Sequence, residues 1–204
     1  MRSPEEVADS SSNYPRQSLA GRPHLISHWG NGGQKVFFNA SDYQTYLMAM
    51  REECARHEVS VLGYCLMPAE VRLVVVPRTA EGLTRAVSEA HRRYTASVNK
   101  AQGWTGVLWK GRFSSFVVDD PYLPAVIREI ELMPVSCGLA TEAWAYPWSS
   151  AGPRCSNQPD FMIGRYVTPV GAEWKAYLSV QHLGMAATLE AHARSGVPLA
   201  DSAN

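Results

Sequence analysis

Residues 59–77, VSVLGYCLMPAEVRLVVVP, constrain this chain more than any other stretch. Two runs dense in Val, Leu, Tyr and Cys flank a short Pro-Ala-Glu turn, and β-branched and aromatic residues fit a pleated, buried surface. The stretch predicts two antiparallel strands, tightly joined. Helical patterns lie on both sides of it. Upstream, in SDYQTYLMAMREECARHE, Tyr43, Tyr46, Leu47 and Met50 recur at helical spacing, with Ser41 and Gln44 as the expected capping box. Downstream, Thr79 is expected to cap a helix reaching Lys100, with Leu83, Val87, Ala90 and Tyr94 on its apolar stripe.

The outer elements complete the pattern. Residues 22–29, RPHLISHW, fit a strand that ends at the turn GNGG, and QKVFF follows as a short extended segment. VLWKGRFSSFVVD carries strand-like segments around Gly111. Asp120 before Pro121 predicts a helix start, and that helix is expected to stop near Leu132, ahead of Pro134. The order strand, helix, strand, strand, helix, strand matches the split βαβ pattern of ferredoxin-like folds. The expected class is α+β: a ferredoxin-like core with an antiparallel sheet, helices on one face, and a C-terminal helix. The expected organisation is a disordered tail over 1–21, the main domain over 22–152, and an extension over 153–204 with one helix, GAEWKAYLSVQHLGMAATLEAHARS.

Composition excludes some classes of function. The most apolar runs are far too short to span a bilayer. The polar N-terminus lacks the apolar block of a signal peptide, so the expected location is the cytoplasm. Cys54, Cys65, Cys137 and Cys155 are scattered without metal-ligand spacing and are expected as buried free thiols. The six histidines, at 24, 28, 57, 91, 182 and 192, form no i, i+2 pair, and His24 and His28, four apart, fall on an expected strand rather than a helix, so no metal site is assigned to them. Formal net charge is zero, which removes any global electrostatic argument for nucleic acid. Locally, Arg85, Arg92, Arg93, Lys100, Lys110 and Arg112 share a stretch whose single acid is Glu89. That stretch is either a phosphate-binding face or an ordinary mixed surface.

Five landmarks occur in a fixed order: LMPAEVRLVV, GWTGVLWKGRFSS, IELMPVSCGL, YPWSS and LEAHARSGVPL. Together with HLISHWGNGGQKVFF they resemble the REP-associated tyrosine transposases, a branch of the single-strand HUH transposases. The resemblance spans roughly residues 22–200. It implies a protein that cuts and rejoins DNA. In that family, two histidines one residue apart on a strand grip Mg²⁺ or Mn²⁺, and the metal polarises a scissile phosphate. A tyrosine on a later helix attacks the phosphorus and becomes linked to DNA. An Asn four residues after that tyrosine faces the same metal.

This sequence departs from the pattern at each of those positions. The histidine pair falls on Glu70 and Arg72, and the Asn before the pair falls on Ala69. The tyrosine falls on Glu129 and the later Asn on Met133. A guanidinium stays protonated and offers no lone pair to a metal. A carboxylate nucleophile would meet an anionic phosphodiester and give an acyl phosphate that hydrolyses. The metal and its cofactor role are therefore expected to be lost. Arg72 is expected to pair with Glu70, Glu129 or both in a buried arrangement; the alternative has Glu70 and Arg72 solvated on a sheet edge. The candidate DNA-binding residues are Arg92, Arg93, Trp104, Lys110 and Arg112, with Trp104 able to stack on unpaired bases and Trp109 favoured as core. Tyr94 is expected to pack rather than react. The function expected is binding of structured single-stranded DNA, such as a hairpin, without cleavage. The alternatives are an active nickase with a remodelled site, a protein-interaction scaffold, or a decaying element.

Overall fold

The computed structural model describes residues 18–180 and 184–200. Most of the expected tail, residues 1–17, lies outside them. Four strands, β1 (His24–Trp29), β2 (Val59–Met67), β3 (Glu70–Pro77) and β4 (Ser114–Val117), form one sheet in the order β2-β3-β1-β4. Every neighbouring pair is antiparallel. Helix α1 (Ala40–Arg56) links β1 to β2, and α2 (Ala80–Gln102) links β3 to β4. This is the ferredoxin-like arrangement that the sequence predicts. Thr79 caps α2 as expected, accepting from the Gly82 N–H at 3.1 Å. The cap of α1 differs: Asn39, not Ser41, is the N-cap, and it exchanges hydrogen bonds with Asp42.

Helices cover both faces of the sheet, not one. On β3, Val71, Leu73 and Val75 join the core beneath α1 and α2, whereas Val74 joins a second core with Leu25, Cys65, Phe116 and Ile127. A strand apolar on both faces must be covered on both. The second cover is made by α3 (Leu123–Ser136), α4 (Ala151–Ser156), α5 (Ala172–Ser179) and α6 (Ala186–Ser195). Residues beyond 152 thus share the core of the main sheet. The outer edge of β2 is covered near its end by residues 148–150, where the Leu66 N–H donates to Trp148 O and the Ser150 N–H to Tyr64 O. Such cover shortens the edge that could pair with other chains.

The segment QKVFF is fixed at a single point, where the Val36 and Phe37 N–H groups both donate to Pro68 O. Two other expectations change. Helix α3 runs through Pro134 to Ser136. Proline removes one donor in the last turn, but the Cys137 N–H reaches Met133 O at 3.0 Å and the Leu139 N–H reaches Pro134 O at 2.7 Å, closing the end. The expected single C-terminal helix is two helices, α5 and α6, with residues 181–183 of the connection outside the described residues. Neighbouring side chains of α3 hold the two sides of this break. Arg128 donates to Tyr177 O and Val180 O at the end of α5, and Glu129 accepts from the Met185 N–H at the start of α6. A cation at a helix C-terminus and an anion at an N-terminus both suit the helix dipole.

The second core holds a fully buried ion pair. Glu131 of α3 accepts from Arg154 Nε at 3.0 Å, from Ser150 Oγ at 2.5 Å and from Trp174 Nε1 at 2.7 Å. Arg154 also donates to Leu62 O and to Thr168 Oγ1, and its guanidinium lies 4.7 Å from the Tyr166 ring centre. One pair thereby ties α3, α4, β2 and α5 together.

Candidate functional site

Glu70 and Arg72 stand at the start of β3, on the face covered by α3 and α6. Strand β3 lies between β2 and β1, so the solvated-edge alternative fails. In register, Arg72 sits between Cys65 and Ser27, and Glu70 sits between Met67 and Trp29. Arg72 is only 6% exposed, and its Nε donates to Glu70 Oε1 in a short ion pair. The Trp29 ring lies 5.6 Å from the guanidinium carbon of Arg72. Burial pushes the Glu70 carboxyl up from its ordinary range; Arg72 opposes that rise, and Glu190 on α6 adds to it.

Glu129 does not join this pair. Its carboxylate is committed to the Met185 N–H at 3.1 Å, and among the described residues Arg72 has no ion pair with it. Met133 packs against the second core, and its carbonyl accepts the N–H of Cys137. Ala69 contributes its carbonyl, to the Gly30 N–H at 2.8 Å. These residues do not fit a divalent cation. The Glu70 carboxylate is already held by a guanidinium, and a fixed positive charge beside a divalent ion repels it. Among the described residues, no three His, Cys, Asp or Glu side chains are grouped to hold a metal.

The basic stretch does not form one face. Arg85 pairs with Glu81 and Arg92 with Glu89, both within α2. Arg93 turns to α1, where Glu52 at 2.6 Å and Glu53 at 2.7 Å hold it. Lys110 lies on the other side of the loop, in a hollow with Trp29, Glu190 and Arg194 near the Glu70–Arg72 pair. Arg92 and Arg112 line a cavity of about 550 Å³ between α2 and residues 106–113. Trp104 is 46% exposed and meets Phe38 edge-on at 5.4 Å. Trp109 is buried, and Tyr94 donates its hydroxyl to Val36 O within the core.

No spacing in the sequence signals that two of the histidines meet. His28 on β1 and His91 on α2, 63 residues apart, approach with their Nδ1 atoms 2.9 Å from each other. His91 Nε2 lies 3.0 Å from the Tyr46 hydroxyl, and His28 Nε2 lies 3.3 Å from Gly111 O. One proton arrangement suits all four groups: Tyr46 donates to His91, His91 to His28, and His28 to Gly111 O. Both imidazoles stack on Trp109, at 4.8 and 4.4 Å between ring centres. Only tertiary packing reveals this pair, because its members share no local pattern. Burial and the neighbouring His28 hold the His91 pKa well below its ordinary value. The groups facing it are His28, Tyr46 and the rings around it, with Arg92 and Arg112 at the cavity mouth. An unfolded histidine takes a proton near pH ~6.5. The folded state refuses that proton, so this contribution to stability is complete above about pH 6.5 and is lost as pH falls below it, at up to about 1.4 kcal/mol per unit. In NMR, the His91 ring carbons should keep their neutral shifts from about pH 7.5 to 5.5, the window around the free value. A titration midpoint at or above about 6 would show the ring to be solvated.

No family model matches the sequence, and no curated protein does. Solved structures do match. A REP-associated tyrosine transposase bound to a REP hairpin superposes with a TM-score of 0.61 at 15% identity, over 79% of this chain and 96% of that one. A chain from Deinococcus radiodurans described as a transposase aligns over 57% of this chain and 93% of its own, at 15% identity and a TM-score of 0.41. The sheet order, the two helical layers and the first of these superpositions agree: this chain has the fold of a REP-associated tyrosine transposase.

Proposed function

We propose that this chain is a transposase-fold DNA-binding protein that recognises structured single-stranded DNA, in the cytoplasm, and does not cut it. One observation carries the loss of cutting: Arg72 is buried in an ion pair with Glu70, where the resemblance places the metal-gripping imidazoles. Glu129, at the position of the nucleophile, serves as an anchor for α6. The support for DNA is the hairpin held by the structural neighbour, together with Lys110, Arg112 and the exposed Trp104 on and beside one loop. No helix of the described residues is long and apolar enough to cross a membrane.

The test incubates the protein with labelled single-stranded hairpins, with and without Mg²⁺ or Mn²⁺. Retardation that weakens with salt is expected, with no nick and no covalent adduct in either condition. Lys110→Ala combined with Arg112→Ala should weaken binding across hairpin sequences and flatten the salt slope by about 0.7 for each phosphate no longer neutralised. Metal-dependent nicking, or DNA linked to Glu129, would establish a working nuclease instead. Absence of retardation even at low salt would remove DNA binding altogether.

A further inference from the structure

The cavity between α2 and residues 106–113 has a chemistry that the cutting positions on the opposite face of the sheet do not explain. Its volume, about 550 Å³, falls within the range of small-molecule sites. Its wall is aromatic, made by the His28–His91 pair stacked on Trp109, with the Phe113 ring edge-on to both imidazoles. Trp109 is more than nine-tenths buried and serves as the packed floor under the two imidazoles. Asn99 and Thr95 add polar groups, and Asn99 spends its amide N–H on Gly106 O, which leaves the side-chain oxygen as an acceptor.

Charge is sorted within the cavity. Arg92 and Arg112 line it, and among the described residues no acidic side chain does. Glu89 holds Arg92, whereas Arg112 has no ion pair among the described residues. The imidazole pair has a neutral proton arrangement, so positive charge is confined to the two guanidinium groups. An aromatic wall with an amide acceptor at Asn99, next to a guanidinium, matches a planar nitrogen heterocycle that carries an anionic arm. We propose that this cavity binds one nucleoside monophosphate unit, its base against the His28–His91–Trp109 wall and its phosphate at Arg112 and Arg92. The unit comes either from a free nucleotide or from an unpaired position of a strand. The inference deepens the DNA reading, but the two stand or fall separately.

Calorimetric titration of the full chain with dAMP, dGMP, dCMP and TMP, and with inorganic phosphate as control, tests it. At least one mononucleotide is expected to bind with a Kd of about 1 mM or tighter, and phosphate alone more weakly. Arg112→Ala should weaken the mononucleotide by about tenfold, the loss of one charge-assisted hydrogen bond. Ala96→Trp, which projects bulk from an exposed position lining the cavity, should abolish binding while the circular dichroism spectrum and melting temperature stay unchanged. No mononucleotide binding, or binding that both variants leave intact, overturns the proposal. Hairpin retardation that persists in Ala96→Trp assigns the cavity to free nucleotides, and its loss there assigns it to a base of the strand. Mononucleotide binding without any hairpin retardation keeps the cavity and removes the DNA reading.

Discussion

Arg154→Met lowers the unfolding free energy by about 3–5 kcal/mol at neutral pH, because it strands a buried carboxylate. Glu131 has no exposure to water, and Ser150 and Trp174 alone cannot replace the guanidinium charge. For a domain of this size the loss corresponds to a melting temperature lower by about 10 °C. The pH dependence distinguishes this cause from lost packing. Burial already pushes the Glu131 carboxyl up, and Arg154 is the first influence against it. Without Arg154 the carboxyl rises further. An acid whose folded pKa is raised favours the folded state below its unfolded value and loses that advantage as pH rises through the folded value. The deficit of Arg154→Met should therefore shrink as pH falls toward about 4.3, the free glutamate value. Urea midpoints measured from neutral pH downward would show it, and a deficit independent of pH would point to packing alone. Replacing both partners by apolar residues, Glu131→Leu with Arg154→Met, should recover much of the loss.

The sequence does not reveal this pair, and the reason is physical. Glu131 and Arg154 are 23 residues apart, on different helices, and each looks like an ordinary surface charge along its own helix. What is legible is what depends on local pattern. The β-rich hairpin of residues 59–77, the stripe Leu83–Val87–Ala90–Tyr94 and the cap at Thr79 all depend on neighbours within one or two turns. The second helical layer is half legible: the alternation of β3 is apolar on both faces, which requires two covers. The break between α5 and α6 is not, since helical spacing lies on both sides of it and the contacts that hold its ends, from Arg128 and Glu129, come from another element. At the site, the strand pattern puts Glu70 and Arg72 on one face. It cannot choose between Glu70 and Glu129 as partner, or separate Arg93 from Arg92, because those outcomes depend on which helix lies opposite.

Arg72→Ala is the second large effect, at about 3 kcal/mol, near the lower end for a buried pair that loses one member. The carboxylate left behind keeps a side-chain exposure of 16%, so water relieves part of its charge. The substitution also removes the cation over the Trp29 ring. Glu70→Gln with Arg72→Met replaces the pair by neutral groups of similar volume and should regain most of the stability. In a double-mutant cycle, a coupling energy below about 0.5 kcal/mol would mean a solvated pair after all. The same variants separate structure from recognition. If Arg72 serves only the interior, the double variant folds and binds the hairpin as the parent does. Lower hairpin affinity at unchanged stability would instead make Arg72 a phosphate-binding group, and the guanidinium would then have replaced the lost metal as the positive charge that meets the strand.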